Sequence, residues 1–133
     1  MIHDKTIEEA ATLRLQFAKR GGLLPVVVQD YRSLKILMVG YVNESALQQS
    51  LEKKVATFWS TSRNTLWTKG ETSGDFLRLR EAWVDCDQDA LIFQVEMVGE
   101  GVCHTKNATG KSRTSCFYRR IDSNQHTLLF SET

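Results

Sequence analysis

Stretches rich in apolar and β-branched residues alternate along the chain with short polar segments, and this pattern predicts a mainly β fold. The stretches 23–31 (LLPVVVQDY) and 36–42 (ILMVGYV) flank the polar residues RSLK, which predicts a hairpin. Further strands are expected over 55–62, over 76–98 as one or two long strands, and over 117–121. The pattern therefore predicts about six strands.

Two segments have the spacing of helices instead. Residues 6–20 carry Thr6 and Glu9 at capping-box spacing and are followed by two glycines, which predicts a helix over the whole segment. Residues 43–54 begin with Asn43, a favourable N-cap, and repeat apolar residues at helical intervals. The sequence thus predicts two helices beside the strands.

The length and the charge of the chain limit the class of protein. A chain of 133 residues fits one domain with one core, so we expect a single α+β domain, mainly β, over residues 1–133. The formal net charge of +1 gives no reason to expect nucleic acid or a membrane as a partner. No apolar run is long enough to cross a bilayer, and the charged N-terminus lacks the apolar core of a signal peptide. These features predict a cytoplasmic location.

The segment WVDCDQDAL (83–91) concentrates negative charge. Asp85, Asp87 and Asp89 occupy every second position, and the thiol of Cys86 lies between the first two. In a strand the three carboxylates would share one face and Cys86 would point to the other. A hard divalent cation, Mg²⁺ or Ca²⁺, would remove the repulsion between the carboxylates. The alternative is a solvated acidic strand end or turn without any bound ion.

The three cysteines suggest a second metal site. Cys86, Cys103 and Cys116 are an odd number, which argues against a closed disulfide framework. Three thiolates can hold zinc and leave a fourth position for water, whose pKa zinc lowers to roughly 7. His104, next to Cys103, would be near enough to transfer a proton. The alternatives are core thiols and a histidine in a surface turn.

A polar loop predicted over 63–75 has the composition of a phosphate site. Arg63, Lys69, two glycines and several hydroxyl groups suit a phosphate, and Trp67 could stack on a base. The alternative is an ordinary surface loop whose tryptophan packs on the core. A second group of basic residues surrounds Cys116 and consists of Lys106, Lys111, Arg113, Arg119 and Arg120. The alternative for this second group is that it is only solvated surface charge.

Several motifs occur in an order that resembles one enzyme family. QDYRS, ILMVGYVNESAL, FWSTSRNTLWTKGETSG, DCDQDAL, CHT and RTSCFYRRI together are similar to phosphoribosyl-AMP cyclohydrolase, an enzyme of histidine biosynthesis. The resemblance covers about residues 22–121, and LWTKGETSG and DCDQDA are its most specific parts. The resemblance implies a homodimer with a β-rich, pseudobarrel-like mixed sheet.

The resemblance also implies a reaction and two metal ions. The family hydrolyses the N1–C6 bond of the adenine ring of 1-(5-phosphoribosyl)-AMP, which opens the purine ring. His104 is the implied catalytic residue for the proton transfers. The implied zinc ligands are Cys103, Cys116 and the partner's Cys86. The implied magnesium ligands are Asp85, Asp87 and Asp89.

The substrate of this family carries two phosphate groups, which gives a use to both basic regions. We expect the first phosphate and the base to meet Arg63, Trp67, Lys69, Thr72 and Ser73. The second phosphate is expected near Arg113 or Arg119.

One segment departs from the family pattern. The segment CHTKNATGKSRTSC (103–116) is about six residues longer than the usual CHTGRRSC. The longer loop leaves open a metal-dependent deaminase or amidohydrolase that acts on another nucleotide. A non-catalytic nucleotide-binding dimer is the third possibility, and the retained cysteines argue against it.

Overall fold

The structure, a computed structural model, describes residues 4–131. Its strands are β1 Leu24–Asp30, β2 Ile36–Val42, β3 Thr57–Ser60, β4 Thr65–Thr68, β5 Leu77–Val84, β6 Leu91–Met97, β7 Arg119–Asp122 and β8 Thr127–Phe130. Its helices are α1 Lys5–Glu8, α2 Glu44–Lys53 and a 3₁₀ turn at Ala18–Arg20. Within the described residues, no helix has the length and apolar character needed to cross a membrane.

The main sheet is mixed and has the strand order β2-β1-β6-β5. β1 pairs antiparallel with β2 and parallel with β6, while β5 and β6 are antiparallel. β3 with β4, and β7 with β8, form two separate two-stranded sheets. The predicted mainly β class, the mixed sheet, the first hairpin and the presence of two α-helices among the described residues are confirmed. The pseudobarrel stays a prediction.

The core lies on one face of the main sheet, because alternate residues of the two central strands point inward. Val26 and Val28 of β1 and Phe93 and Val95 of β6 are all fully buried. Helix α2 packs against β3 and the edge strand β2, and its buried residues are Ala46, Leu47 and Ser50. At Gly40 a side chain would overlap the ring of Phe58, so the glycine allows β2 to approach β3 closely.

The predicted helix over 6–20 is wrong for most of its length. Helix α1 ends at Glu8, and its N-cap is Asp4, whose carboxylate accepts a hydrogen bond from the Thr6 amide at 2.9 Å. Beyond this helix, the Arg14 amide and the Thr12 carbonyl hydrogen-bond to the side chain of Gln88. These long-range hydrogen bonds override the helical propensity of the segment.

Two short strands were not predicted. β4 lies inside the segment expected to be a loop, and β8 follows the last predicted strand. β4 is polar at both ends and becomes a strand by pairing with β3, which places Leu66 opposite Trp59. Four residues with so little alternation give no clear strand signal without their partner.

Candidate metal and substrate site

The three predicted aspartates do come together, although not on a strand. One carboxylate oxygen from each of Asp85, Asp87 and Asp89 lies within 4.8 Å of the others. Asp85 caps a tight turn, accepting hydrogen bonds at its Oδ1 from the amides of Asp89 at 2.9 Å and Ala90 at 3.1 Å. Gln88 has a φ of +56° inside this turn. The predicted strand is therefore wrong over these residues, because an aspartate that bonds its own downstream backbone favours a turn.

Two basic residues balance part of this charge. Lys19 Nζ lies 2.9 Å from Asp89 Oδ2 and 3.4 Å from Asp87 Oδ2, and Arg20 lies 3.0 Å from Asp89. The Lys19 ammonium holds the pKa of Asp89 well below its usual range. Burial and the neighbouring carboxyl groups raise the pKa of Asp85. Sequence reasoning missed both cations, since it placed them in a long helix.

Cys103 and Cys116 lie side by side. Cys103 is buried, and its Sγ lies 3.0 Å from the Thr105 hydroxyl. Burial raises the pKa of Cys103, but hydrogen bonds with Thr105 and Cys116 outweigh it and give a lowered pKa. Burial of the thiol and the adjacent Cys103 raise the pKa of Cys116 to about 11. Cys103 is therefore the cysteine of the pair that forms a thiolate more readily.

The chain brings these two cysteines together by folding residues 99–116 back on themselves. The Cys103 amide donates to the Arg113 carbonyl at 3.0 Å, which sets one side of the loop beside the other. The Cys116 amide donates to the carbonyl of Leu37 in β2 at 2.8 Å. The buried Ser115 adds a hydrogen bond from its Oγ to the Ile36 carbonyl at 2.7 Å. Strand β2 therefore holds the second thiol in place.

The third predicted sulfur does not join this pair within the chain. Among residues 4–131, the three aspartates are the only group of three or more metal-binding side chains with all ligand atoms within 4.8 Å. Cys86 is exposed and lines a cavity of about 360 Å³ against the N-terminal segment. His104 is exposed and follows Cys103 directly. One chain supplies two of the three predicted zinc ligands at one place.

Arg63 and Trp67 of the predicted phosphate loop line one cleft of about 270 Å³. Its lining consists of Gly40, Tyr41, Phe58, Trp59, Ser60, Thr61, Ser62, Arg63 and Trp67. The Trp67 ring also packs on the core, with its centroid 5.3 Å from that of Phe58. Trp59 and the three hydroxyl residues Ser60, Thr61 and Ser62 were missed, although the pattern FWSTSR could have indicated them. Tyr41 was missed as well.

Lys69 is not among the residues that line this cleft, and it lies close to Cys116 of the thiol pair instead. Its charge acts on Cys116 and partly offsets the rise in the pKa of that thiol. Lys69 is placed by its amide, which donates to the Ala56 carbonyl at 3.2 Å, and by the turn that begins at Gly70. A side chain at Gly70, whose φ is +99°, would overlap the Phe76 backbone. Thr72 and Ser73 are exposed in the same turn.

Arg113 and Arg119 lie together beyond the thiol pair. Their guanidinium carbons lie 4.0 Å and 5.1 Å from the ring centroid of Tyr118, and Phe130 is the second ring beneath them. Cation–π attraction compensates the repulsion between two neighbouring guanidinium groups. The charge of Arg113 also helps to lower the pKa of Cys103.

Known proteins are similar to this chain over most of its length. A model of the family described as phosphoribosyl-AMP cyclohydrolase matches residues 38–118. A phosphoribosyl-AMP cyclohydrolase of Solibacter usitatus is 46% identical over 113 residues, which are 85% of each chain. That of Streptococcus mutans is 46% identical over 109 residues, 82% of this chain and 94% of the relative. That of Desulfatibacillum aliphaticivorans is 38% identical over 117 residues, 88% of this chain and 89% of the relative.

These matches place the chain among hydrolases that act on a carbon–nitrogen bond. Within that class, the chain belongs to the phosphoribosyl-AMP cyclohydrolase family. The matched residues 38–118 include both cysteines of the pair, His104 and the acidic turn. The resemblance inferred from the motifs is confirmed.

Proposed function

We propose that the protein hydrolyses the N1–C6 bond of the adenine ring of 1-(5-phosphoribosyl)-AMP and thereby serves histidine biosynthesis. The observation that carries this proposal is the adjacent pair Cys103 and Cys116, with His104 beside it, inside the part that matches the family. The three free cysteines suit a reducing compartment, so we place the enzyme in the cytoplasm.

The donor set at the thiol pair fits zinc. Sulfur is a soft ligand that zinc accepts in tetrahedral sites, and Cys103 already has a lowered pKa. Two sulfurs are too few for such a site, and Cys86 is exposed and outside the pair. The partner's Cys86 is therefore the third ligand in this proposal. A bound zinc ion would supply a Lewis acid that lowers the pKa of a water molecule.

The dimer has a candidate contact surface on the main sheet. Its exposed large apolar residues on and beside the strands are Ile36, Val39, Tyr41, Trp83, Val84 and Ile92. An apolar surface of this kind marks a protein contact more often than free solvent-facing surface. Trp83 and Val84 lie three and two residues before Cys86, so a second copy seated here would bring that thiol close to this surface. We infer one domain per protomer, with the expected pseudobarrel closed by the dimer.

The remaining residues have roles in binding and proton transfer. His104, which follows Cys103 in the chain, delivers a proton to N1 as the N1–C6 bond breaks. The cleft with Arg63 and Trp67 receives one phosphate and the base, with Lys69, Thr72 and Ser73 beside it. Arg113 and Arg119 bind the second phosphate as a pair of guanidinium groups.

The acidic turn fits Mg²⁺ as the second ion. Carboxylate oxygens are the hard ligands that Mg²⁺ prefers, and Asp85, Asp87 and Asp89 present three of them at one point. Lys19 and Arg20 contact Asp87 and Asp89, and they leave one negative charge in excess, since two cations face three carboxylates. The cluster is therefore still suited to a cation.

The test is conversion of 1-(5-phosphoribosyl)-AMP, followed by the ultraviolet change as the purine ring opens. Zinc-loaded protein, chelator-treated protein and Cys103→Ser protein are compared side by side. Turnover only in the zinc-loaded sample is expected. A folded, zinc-loaded dimer without turnover would overturn the proposal, and the extended loop 104–115 would then be the first segment to test for a changed substrate.

A further inference from the structure

Two side chains of the N-terminal segment reach the acidic turn. Lys19 Nζ contacts both Asp87 and Asp89, and Arg20 contacts Asp89 through the same oxygen, Oδ2. The Asp89 side chain is only 4% exposed, whereas about half of each cationic side chain is open to solvent. The cations therefore close the solvent side of a nearly buried carboxylate.

Gln88 keeps the segment in this position. Its side-chain oxygen accepts the Arg14 amide at 2.7 Å, and its Nε2 donates to the carbonyls of Ile7 at 3.0 Å and Thr12 at 3.2 Å. Its own carbonyl accepts the Gln16 amide at 2.8 Å. Gln88 is buried, so these bonds are shielded from water. The same five-residue turn thus presents carboxylates at one side and anchors the segment that carries the cations.

A divalent cation and the two basic side chains compete for the same atoms. A cation bound by three carboxylates would use an oxygen of Asp89, and both Lys19 and Arg20 already contact Oδ2 of that residue. Two unit charges about 4 Å apart interact even in water strongly enough to change an equilibrium constant about fivefold. The basic pair is therefore placed to weaken the binding of a divalent cation.

We propose that Lys19 and Arg20 are built-in counter-cations that set the affinity of the acidic turn for its divalent ion. This inference rests on the magnesium role of Asp85, Asp87 and Asp89 proposed above. Lys19 is the stronger competitor because it contacts two of the three carboxylates, and Arg20 contacts one. Both residues lie in the N-terminal segment, outside residues 38–118, which match the family model.

The test is calorimetric titration of the zinc-loaded dimer with Mg²⁺, and with Mn²⁺ as a second probe. Lys19→Met should bind Mg²⁺ about fivefold more tightly than wild type at low salt. Lys19→Arg keeps the charge and should bind as wild type does. Lys53→Met removes the same charge from α2 and should also leave the affinity unchanged. In 1 M salt, where the screening length falls to about 3 Å, the gain in Lys19→Met should shrink.

The variants separate the failure of this inference from failure of the magnesium site. Equal affinities of wild type and Lys19→Met, with binding lost in Asp87→Asn, would overturn the inference and leave the site standing. Weaker binding in Lys19→Met would also overturn it, since Lys19 would then support the site. Absence of Mg²⁺ and Mn²⁺ binding in both wild type and Lys19→Met would overturn the proposed site together with the inference.

Discussion

Asp85, Asp87 and Asp89 lie within five consecutive residues, whereas Cys103 and Cys116 are separated by twelve others. The carboxylates meet because one turn, capped by Asp85 itself, folds them together. The thiols meet only because a long loop folds back and is tied to strand β2. One group is thus built locally and is complete in one chain. The other depends on tertiary structure and has two sulfurs where a structural or catalytic zinc site needs at least three protein ligands.

The largest effect is expected from mixing two inactive variants, which tests whether the thiol site is shared. Cys86→Ser and Cys103→Ser should each lose turnover by about a thousandfold or more, because each would remove a proposed zinc ligand from both sites of the proposed dimer. An equimolar mixture should recover about one quarter of wild-type activity, since half of its dimers pair unlike chains and one of the two sites in each such dimer is intact.

The control for this experiment is protomer exchange, verified by native mass spectrometry of the mixture. Refolding each variant alone should restore nothing. If exchange is complete and the mixture stays inactive, Cys86 acts within its own chain. The contrast between a complete acidic site and a shared thiol site would then be wrong.

A smaller effect is expected at Ser115, which supports only the thiol site. Its Oγ donates to the Ile36 carbonyl at 2.7 Å and accepts the Phe117 amide at 2.9 Å, and the residue is fully buried. Ser115→Ala leaves both groups without this partner and should lower the free energy of unfolding by about 1–3 kcal/mol. Zinc affinity should fall with it, because Cys116 is the next residue.

Urea unfolding and separate titrations with zinc and Mg²⁺ measure these effects. Ser123→Ala, in the exposed turn between β7 and β8, is the matched control and should change neither the free energy of unfolding nor the zinc affinity. Mg²⁺ binding to the acidic turn should be the same in Ser115→Ala as in wild type. A parallel loss of both affinities would mean that the two sites are not independent.

The same contrast explains what could be predicted from the sequence. The apolar stretches located β1, β2, β5 and β6, because each strand places residues in the core, although β5 does so only with Leu77 and Leu79. The clustering of the aspartates was also predictable, because residues two apart stay close in a strand and in a turn alike. The distinction between strand and turn was missed, since it depends on which backbone groups Asp85 bonds.

Features that depend on distant residues were missed. The helix expected over 6–20 is broken by hydrogen bonds to Gln88, which is 74 residues beyond Arg14 in the chain. Lys19 and Arg20 meet the acidic turn for the same reason. No local pattern in a single sequence encodes such contacts, because propensity is a weak preference that tertiary bonds override. The position of Trp59 in the cleft was hidden in the same way.

The smallest expected effect is a difference between Asp85 and Asp89 in how their contributions to stability depend on pH. Burial raises the pKa of Asp85 above its ordinary value of 3.8, and Lys19 lowers the pKa of Asp89 below that value. As the pH falls towards 4, the folded chain takes up a proton at Asp85 before the unfolded chain does, so this contribution stabilises the fold. Below about pH 4 the unfolded chain takes up a proton that folded Asp89 does not, so the stability contributed by Asp89 is progressively lost.

Urea unfolding between pH 7 and pH 2.5, in chelator, measures both contributions in the absence of bound ions. Asp89→Asn should be less stable than wild type at pH 7, and the difference should shrink as the pH falls below 4, where the Asp89 contribution disappears. Asp85→Asn should show a difference of the opposite sign, because it removes a carboxylate whose charged form is disfavoured by burial. Both differences should be smaller than that of Ser115→Ala, since the surrounding Lys19 and Arg20 are half exposed and their charges are screened. Parallel pH profiles for the two variants would mean that the turn titrates as one unit. The inference that Asp85 and Asp89 have separate local environments would then be wrong.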